Sequence, residues 1–156
     1  MRVFLFAIVG ALALAASLGG LALADQVYHS ENLGLELTPA GAAAGHPELR
    51  SGHVVNIHPN GPVNGALERY VVSGAKPNTS YDVLLEAFVG DCGEELALAI
   101  TTATLGTNRN GAGHASARFT AEDLLPFSGA IVSVQWTLVA NGVDAYQTPC
   151  TTVTID

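Results

Sequence analysis

The sequence has 156 residues, with 14 acidic residues against 6 lysines and arginines, and a formal net charge of −8 at pH 7. This acidity argues against nucleic acids and anionic membranes as partners, because both are negatively charged and would repel the chain. The length suits one domain.

The first 24 residues are predicted to be a secretory signal peptide. After Arg2 comes an uncharged apolar segment that ends at Ala22-Leu23-Ala24, a small-x-small sequence that signal peptidase accepts. Cleavage there leaves residues 25–156 as a single secreted domain with 5 basic and 14 acidic residues, a net charge of 5 − 14 = −9. The alternative is an uncleaved anchor, since the apolar segment is long enough to span a bilayer. We expect a secreted or cell-envelope protein with no membrane insertion after cleavage.

The first half of this domain alternates apolar and polar residues in short runs, which is typical of β-strands. We predict strands at 27–37, with a possible bulge at 32–34, and at 51–58 and 65–73. Residues 38–50 contain two prolines and two glycines and are predicted to form a loop.

The next turn, Pro77-Asn78-Thr79, precedes a predicted strand over 81–89. The segment GAKPNTSYDV, residues 74–83, resembles the Leu-x-Pro-Gly-Thr-x-Tyr-x-Val segment of fibronectin type III domains. The resemblance is confined to this segment, and Asn78 and Ala75 replace the usual glycine and leucine. It implies an immunoglobulin-like sandwich in which Tyr81 lies at a corner, with its hydroxyl bonded to nearby backbone.

Further strands are predicted at 96–105, 114–119, 130–139 and 151–155, with one helical turn within 121–128. Asn110-Gly111 is the strongest hairpin signal in the chain. In the strand at 130–139, Trp136 shares a face with three aliphatic residues, which predicts that its indole lies in the core.

Cys92 and Cys150 are the only cysteines. In an exported chain such a pair is most simply a structural disulfide, and the alternative is a pair of reactive thiols. These features together predict an all-β fold: an antiparallel two-sheet sandwich of the immunoglobulin or fibronectin III type, with seven to nine strands and one disulfide. A closed barrel is the second choice.

Histidines and carboxylates are the candidates for a metal site. His53 and His58 are separated by four residues, a spacing that places them on opposite faces of a strand. A site would therefore need residues that are distant in sequence, and His53, His58, His114 and Asp91 are the candidates.

The loop with Asn108, Arg109, Asn110 and His114 is the predicted binding loop, because polar loop tips on a rigid scaffold often carry recognition. The sequence contains no nucleophile-elbow motif and no phosphate-binding glycine loop, and we expect no cofactor. The hypothesis is a non-enzymatic exported module for binding, adhesion or envelope structure, with an extracellular protein or glycan as its partner. The alternative is a metal-binding protein or an enzyme.

Overall fold

A computed structural model describes residues 28–59 and 65–155. The described residues form ten strands in two antiparallel sheets packed together, which confirms the predicted all-β sandwich. The ten strands exceed the seven to nine predicted, because the segment predicted as one strand over 27–37 forms two and a further strand lies at 143–147. The strands are β1 Tyr28–Gly34, β2 Glu36–Leu37, β3 Ser51–Pro59, β4 Ala66–Ser73, β5 Ser80–Val89, β6 Glu95–Gly106, β7 Gly113–Phe119, β8 Ile131–Ala140, β9 Val143–Gln147 and β10 Thr151–Thr154. The predicted signal segment, residues 1–24, lies outside the described residues.

The two sheets differ in size and in strand order. The four-stranded sheet has the order β1-β3-β4-β7. The six-stranded sheet has the order β2-β9-β8-β5-β6, and β10 also pairs with β8. β10 pairs with the first half of β8 and β9 with the second half, so both lie on the same side of that strand. The chain therefore crosses between the sheets after β1, β2, β4, β6 and β7.

The segment predicted as one strand over 27–37 is two strands in different sheets. The chain changes sheet at Leu35, whose side chain is buried and whose N–H donates to the Gly52 carbonyl oxygen (2.9 Å). The prediction of a loop over 38–50 missed a short helix, α1, at Pro39–Ala43. Thr38 caps it by accepting a hydrogen bond from the Gly41 N–H (2.9 Å), and Pro39 occupies the first turn, where proline is well tolerated.

The predicted helical turn within 121–128 is present as α2 at Ala121–Leu124, followed by a 3-10 turn at Leu125–Phe127. Thr120 and Asp123 form a capping box at the start of α2. No helix in the described part of the chain is long and apolar enough to cross a membrane.

The hairpin predicted at Asn110-Gly111 is wrong, because β6 and β7 belong to different sheets and the turn carries the chain between them. This turn packs against the turn that follows β4: the Ala75 N–H donates to the Gly111 carbonyl oxygen (3.0 Å). Gly111 has a φ of 71°, and a β-carbon there would collide with the Ala75 carbonyl oxygen. Glycine is therefore required at the point where the two turns meet.

The core lies between the sheets around β8. Val132, Val134, Trp136 and Leu138 are all buried on one face of that strand, and Trp136 is 1% exposed. The disulfide between Cys92 and Cys150, predicted from the cysteine count, is present with a Cα–Cα distance of 5.8 Å. It joins the turn after β5 to the start of β10, and in the chain-entropy model a loop of this length stabilises the fold by about 4 kcal/mol.

Candidate functional site

A cavity of about 370 Å³ lies between the two sheets. Its walls are mostly aliphatic and aromatic, and several wall positions carry alanine or glycine, which leaves the space unfilled. Ala97 is an extra residue in β6, at a β-bulge between the Ala87–Leu98 and Phe88–Leu96 pairs. Exposed residues such as Ala97 and Asp123 also line the cavity, so it reaches the protein surface.

A row of polar residues crosses the four-stranded sheet beside this cavity. Glu31 of β1, Asn56 of β3 and Glu68 of β4 are directly opposite one another in the strand register, and Ala117 of β7 follows. Directly opposed residues share one face of a sheet, with β-carbons about 5 Å apart. Asn56 is 7% exposed and Glu68 is 3% exposed, and both line the cavity. This face is thus an inward one.

Three buried polar atoms near this row have no hydrogen-bond partner among the described residues. They are Glu31 Oε2, Asn56 Oδ1 and Trp136 Nε1, the last of which comes from the opposite sheet. Trp136 and Asn56 both line the cavity. A buried polar atom without a partner costs about 1–3 kcal/mol, and native proteins contain few of them. Two of these three atoms belong to residues that line the cavity, which makes the cavity the candidate site.

Glu68 is the ionisable group at the centre of this site. Burial raises the pKa of its carboxyl group, and hydrogen bonding from the Tyr70 hydroxyl and the Trp136 indole opposes that rise. The indole N–H therefore lies near the carboxyl group. Its position does not meet the geometry of a hydrogen bond to that group or to any other described acceptor. Burial and the neighbouring Glu68 raise the pKa of Tyr70 well above its usual value, which keeps this hydroxyl protonated.

A chain of hydroxyl groups holds the Glu68 carboxyl group in place. Tyr70 donates to Glu68 Oε2, and its oxygen lies 2.6 Å from Thr102 Oγ1. Thr102 is the extra residue of a second β-bulge in β6, and its hydroxyl also lies 3.3 Å from the Val83 carbonyl oxygen. When Glu68 is ionised, Tyr70 donates to it and Thr102 donates to Tyr70. When Glu68 is protonated, its carboxyl group can donate to the Tyr70 oxygen, Tyr70 to Thr102, and Thr102 to the Val83 carbonyl oxygen. These hydroxyl groups therefore accommodate both protonation states of Glu68.

In the predicted binding loop, the Asn108 side chain forms hydrogen bonds within the loop itself. Asn108 Oδ1 accepts hydrogen bonds from the N–H groups of Asn110 (2.8 Å) and Ala112 (3.1 Å), an arrangement that stabilises the turn. Arg109, Asn110 and His114 are exposed. None of these residues lines the inter-sheet cavity, and their role in binding stays a prediction.

The candidate metal ligands are spread over the described structure. His53 and His114 lie in one row on the four-stranded sheet with Val71 between them. Two strand spacings, about 10 Å, separate their positions in the sheet. Asp91 is in the turn after β5, and the side chain of His58 is not among those described. No group of three or more potential ligands comes together among the described residues.

Tyr81 lies with His46 and Tyr146 in a buried cluster near α1. Its hydroxyl oxygen is 3.0 Å from His46 Nδ1, and the Tyr146 hydroxyl donates to the Pro47 carbonyl oxygen (2.8 Å). Burial raises the pKa of Tyr81, whereas hydrogen bonding to Tyr146 and to the backbone of Lys76 opposes the rise. The corner role of Tyr81 stays a prediction.

Sequence reasoning missed the polar row, although a signal for it exists. Asn56 is two residues from Val54, and Glu68 is two residues from Tyr70, so each polar side chain falls on the buried face of its strand.

Comparison of the chain with protein-family models, with curated proteins and with solved structures gave no match.

Proposed function

We propose that this protein is a non-enzymatic exported binding module that holds a small, largely apolar molecule in the cavity between its sheets. The observation that carries the proposal is the pair of unpartnered buried atoms, Asn56 Oδ1 and Trp136 Nε1, which belong to two residues that line a mostly apolar cavity. Binding sites for small molecules combine these two features: apolar walls and a few convergent polar groups.

The size of the cavity suits this role. Its volume of about 370 Å³ falls within the range of small-molecule sites. A cavity of about 150 Å³ holds one benzene molecule, so the space here accommodates roughly two rings of that size. The groups facing it are an amide, an indole and a carboxyl group held by Tyr70, which recognise a ligand through hydrogen bonds.

Export is part of the proposal. It is supported by the predicted signal peptide and by the Cys92–Cys150 disulfide, because disulfides persist in oxidising compartments outside the cytosol. A ligand would then come from the extracellular space or the cell envelope.

The single tryptophan of the chain gives a direct test, since Trp136 lies on the cavity wall. Titration with 2-phenylethanol, a neutral ring with a short polar tail, should change the Trp136 fluorescence in a saturable manner. Ala87→Leu places a larger side chain at the cavity wall and should weaken this response about tenfold or more, because it fills the space the probe needs.

The matched control is Ala99→Leu, the same substitution at an exposed position of the adjacent strand, and it should leave the titration unchanged. A response that does not saturate, or that is equal in both variants, would show that the cavity is not the binding site.

A further inference from the structure

We infer that the cavity selects ligands that carry an ammonium group on an apolar body, with Glu68 and Asn56 as the groups that receive its N–H donors. This inference rests on the proposed function and deepens it by naming the class of ligand. It is carried by the excess of hydrogen-bond acceptors over donors in the polar row.

The acceptors are a carboxyl group and two unpartnered oxygen atoms. Glu68 lines the cavity, Asn56 Oδ1 lies directly across from it, and Glu31 Oε2 is the next in the row. The donors nearby are the Tyr70 hydroxyl, which donates to Glu68, the side-chain amide of Asn56 and the unpartnered Trp136 N–H, and none of them carries a positive charge. The two oxygen atoms still have no donor, and an ammonium group supplies up to three N–H donors together with a positive charge.

The charge of the site points in the same direction. Glu68 is 3% exposed, and all five lysine and arginine side chains in the described part of the chain are exposed. None of these five lines the cavity. A buried carboxylate needs a partner of opposite charge or stays protonated. A ligand cation provides that partner. Asp123, which is exposed and lines the cavity where it reaches the surface, adds a second carboxylate.

A neutral hydroxyl group satisfies fewer of these atoms, and a carboxylate satisfies none of the acceptors. A hydroxyl has a single hydrogen to donate, whereas three acceptor groups lie in the row. A carboxylate ligand brings only acceptors and would lie beside Glu68, a group of the same charge when ionised. The expected order of affinity is ammonium, then hydroxyl, then carboxylate.

Three probes with the same ring separate these cases: 2-phenylethylamine, 2-phenylethanol and phenylacetate. Each is titrated against the full secreted protein, with the Trp136 fluorescence as the readout. At about pH 8 the amine should bind about tenfold or more tightly than the alcohol, because a hydrogen bond to a charged group is worth more than a neutral one. Phenylacetate should bind more weakly than both.

Glu68→Gln keeps the shape of the side chain and removes its charge. It should bring the ratio of amine affinity to alcohol affinity down to about one. The control is Glu86→Gln on β5, a partly buried glutamate that does not line the cavity and whose pKa is also raised, mainly by burial. This variant should keep the ratio of the unmodified protein.

The pH dependence in the unmodified protein provides a test that does not depend on a variant folding. Glu68 shares its surroundings with Glu31, Tyr70 and Asp123, whereas the facing residues of β3, β6, β7 and β8 (Asn56, Thr102, Ala117 and Trp136) carry no charge. Amine affinity should rise from about pH 5 to pH 8 as Glu68 becomes ionised, while the amine stays protonated. Alcohol affinity should not rise with it.

The outcomes are distinguishable. If the alcohol binds as tightly as the amine at every pH, the ammonium inference is overturned and the proposed binding function stands. If none of the three probes binds, both fail. A high amine preference that survives Glu68→Gln would also overturn the inference, because the charge of Glu68 would then play no part.

Discussion

Replacing Ala87 with leucine should stabilise the empty protein, which is unusual for a larger residue in a protein core. Ala87 is 8% exposed and lines the inter-sheet cavity. Leucine adds three carbon atoms, and at about 0.8 kcal/mol for each buried carbon the upper limit is about 2.4 kcal/mol. Ordering the leucine side chain costs about 0.5–1 kcal/mol. The expected gain in the free energy of unfolding is therefore about 1–2 kcal/mol.

Ala145→Leu is the control. Ala145 is fully buried, lies outside the cavity lining and packs against Gly41, so a larger side chain has no space there. This variant should lose about 1–3 kcal/mol through overpacking. Urea unfolding followed by Trp136 fluorescence and by circular dichroism measures both, with the midpoint shifting and the slope unchanged. If Ala87→Leu destabilises the protein as much as Ala145→Leu does, the cavity does not have the space described.

Three further predictions concern the buried acid, a turn and the disulfide. As the pH rises from about 4 to 7, the Glu68→Gln variant should become more stable relative to the unmodified protein. Burial raises the pKa of Glu68 in the folded state, so the unfolded chain loses this proton at a lower pH and the unmodified protein is destabilised. A difference in urea midpoint between the two proteins that is the same at pH 4 and pH 7 would contradict this. Gly111→Ala should cost about 1–2 kcal/mol more than Gly129→Ala: both have a positive φ, but only at Gly111 would a β-carbon meet the backbone. Thermal unfolding compares the two, and equal losses would refute the close approach. Replacing Cys92 and Cys150 with serine should cost about 2–4 kcal/mol, and a thiol assay on the unfolded, unreduced protein should find no free thiol.

Alternation was enough to predict most of the strands. In β8, Trp136 and the three aliphatic residues on the same face are all buried, and the alternation that predicts this is visible in the sequence. The register in β6 is harder, because Leu98 and Ile100 face the cavity whereas Ala103 and Leu105 pack in the core. The β-bulge at Thr102 shifts the alternation by one residue, and a period-two pattern cannot anticipate it.

The pairing of strands depends on contacts that are distant in sequence. Asn110-Gly111 is a good local turn signal, but nothing local says that β7 pairs with β4 rather than with β6. In the same way, a strand that changes sheet at Leu35 has the same alternation as a continuous one. Local sequence therefore predicts the strands better than it predicts their partners.

The candidate site could not be predicted from the sequence for a related reason. Glu31, Asn56 and Glu68 come from three strands, and only the strand register places them in one row. Trp136 reaches the same cavity from the opposite sheet. Each polar residue on a buried face is a detectable signal alone, but their convergence follows from the packing of the two sheets.

The most direct test of the binding proposal is the NMR resonance of the Trp136 indole N–H. The chain has one tryptophan, so the spectrum contains one indole signal and its assignment needs no variant. This N–H has no described protein acceptor and belongs to a residue that lines the cavity. Titration with 2-phenylethanol should move the signal along a saturable curve, whereas an indole signal that stays in place up to the solubility limit of the probe would contradict a ligand site between the sheets.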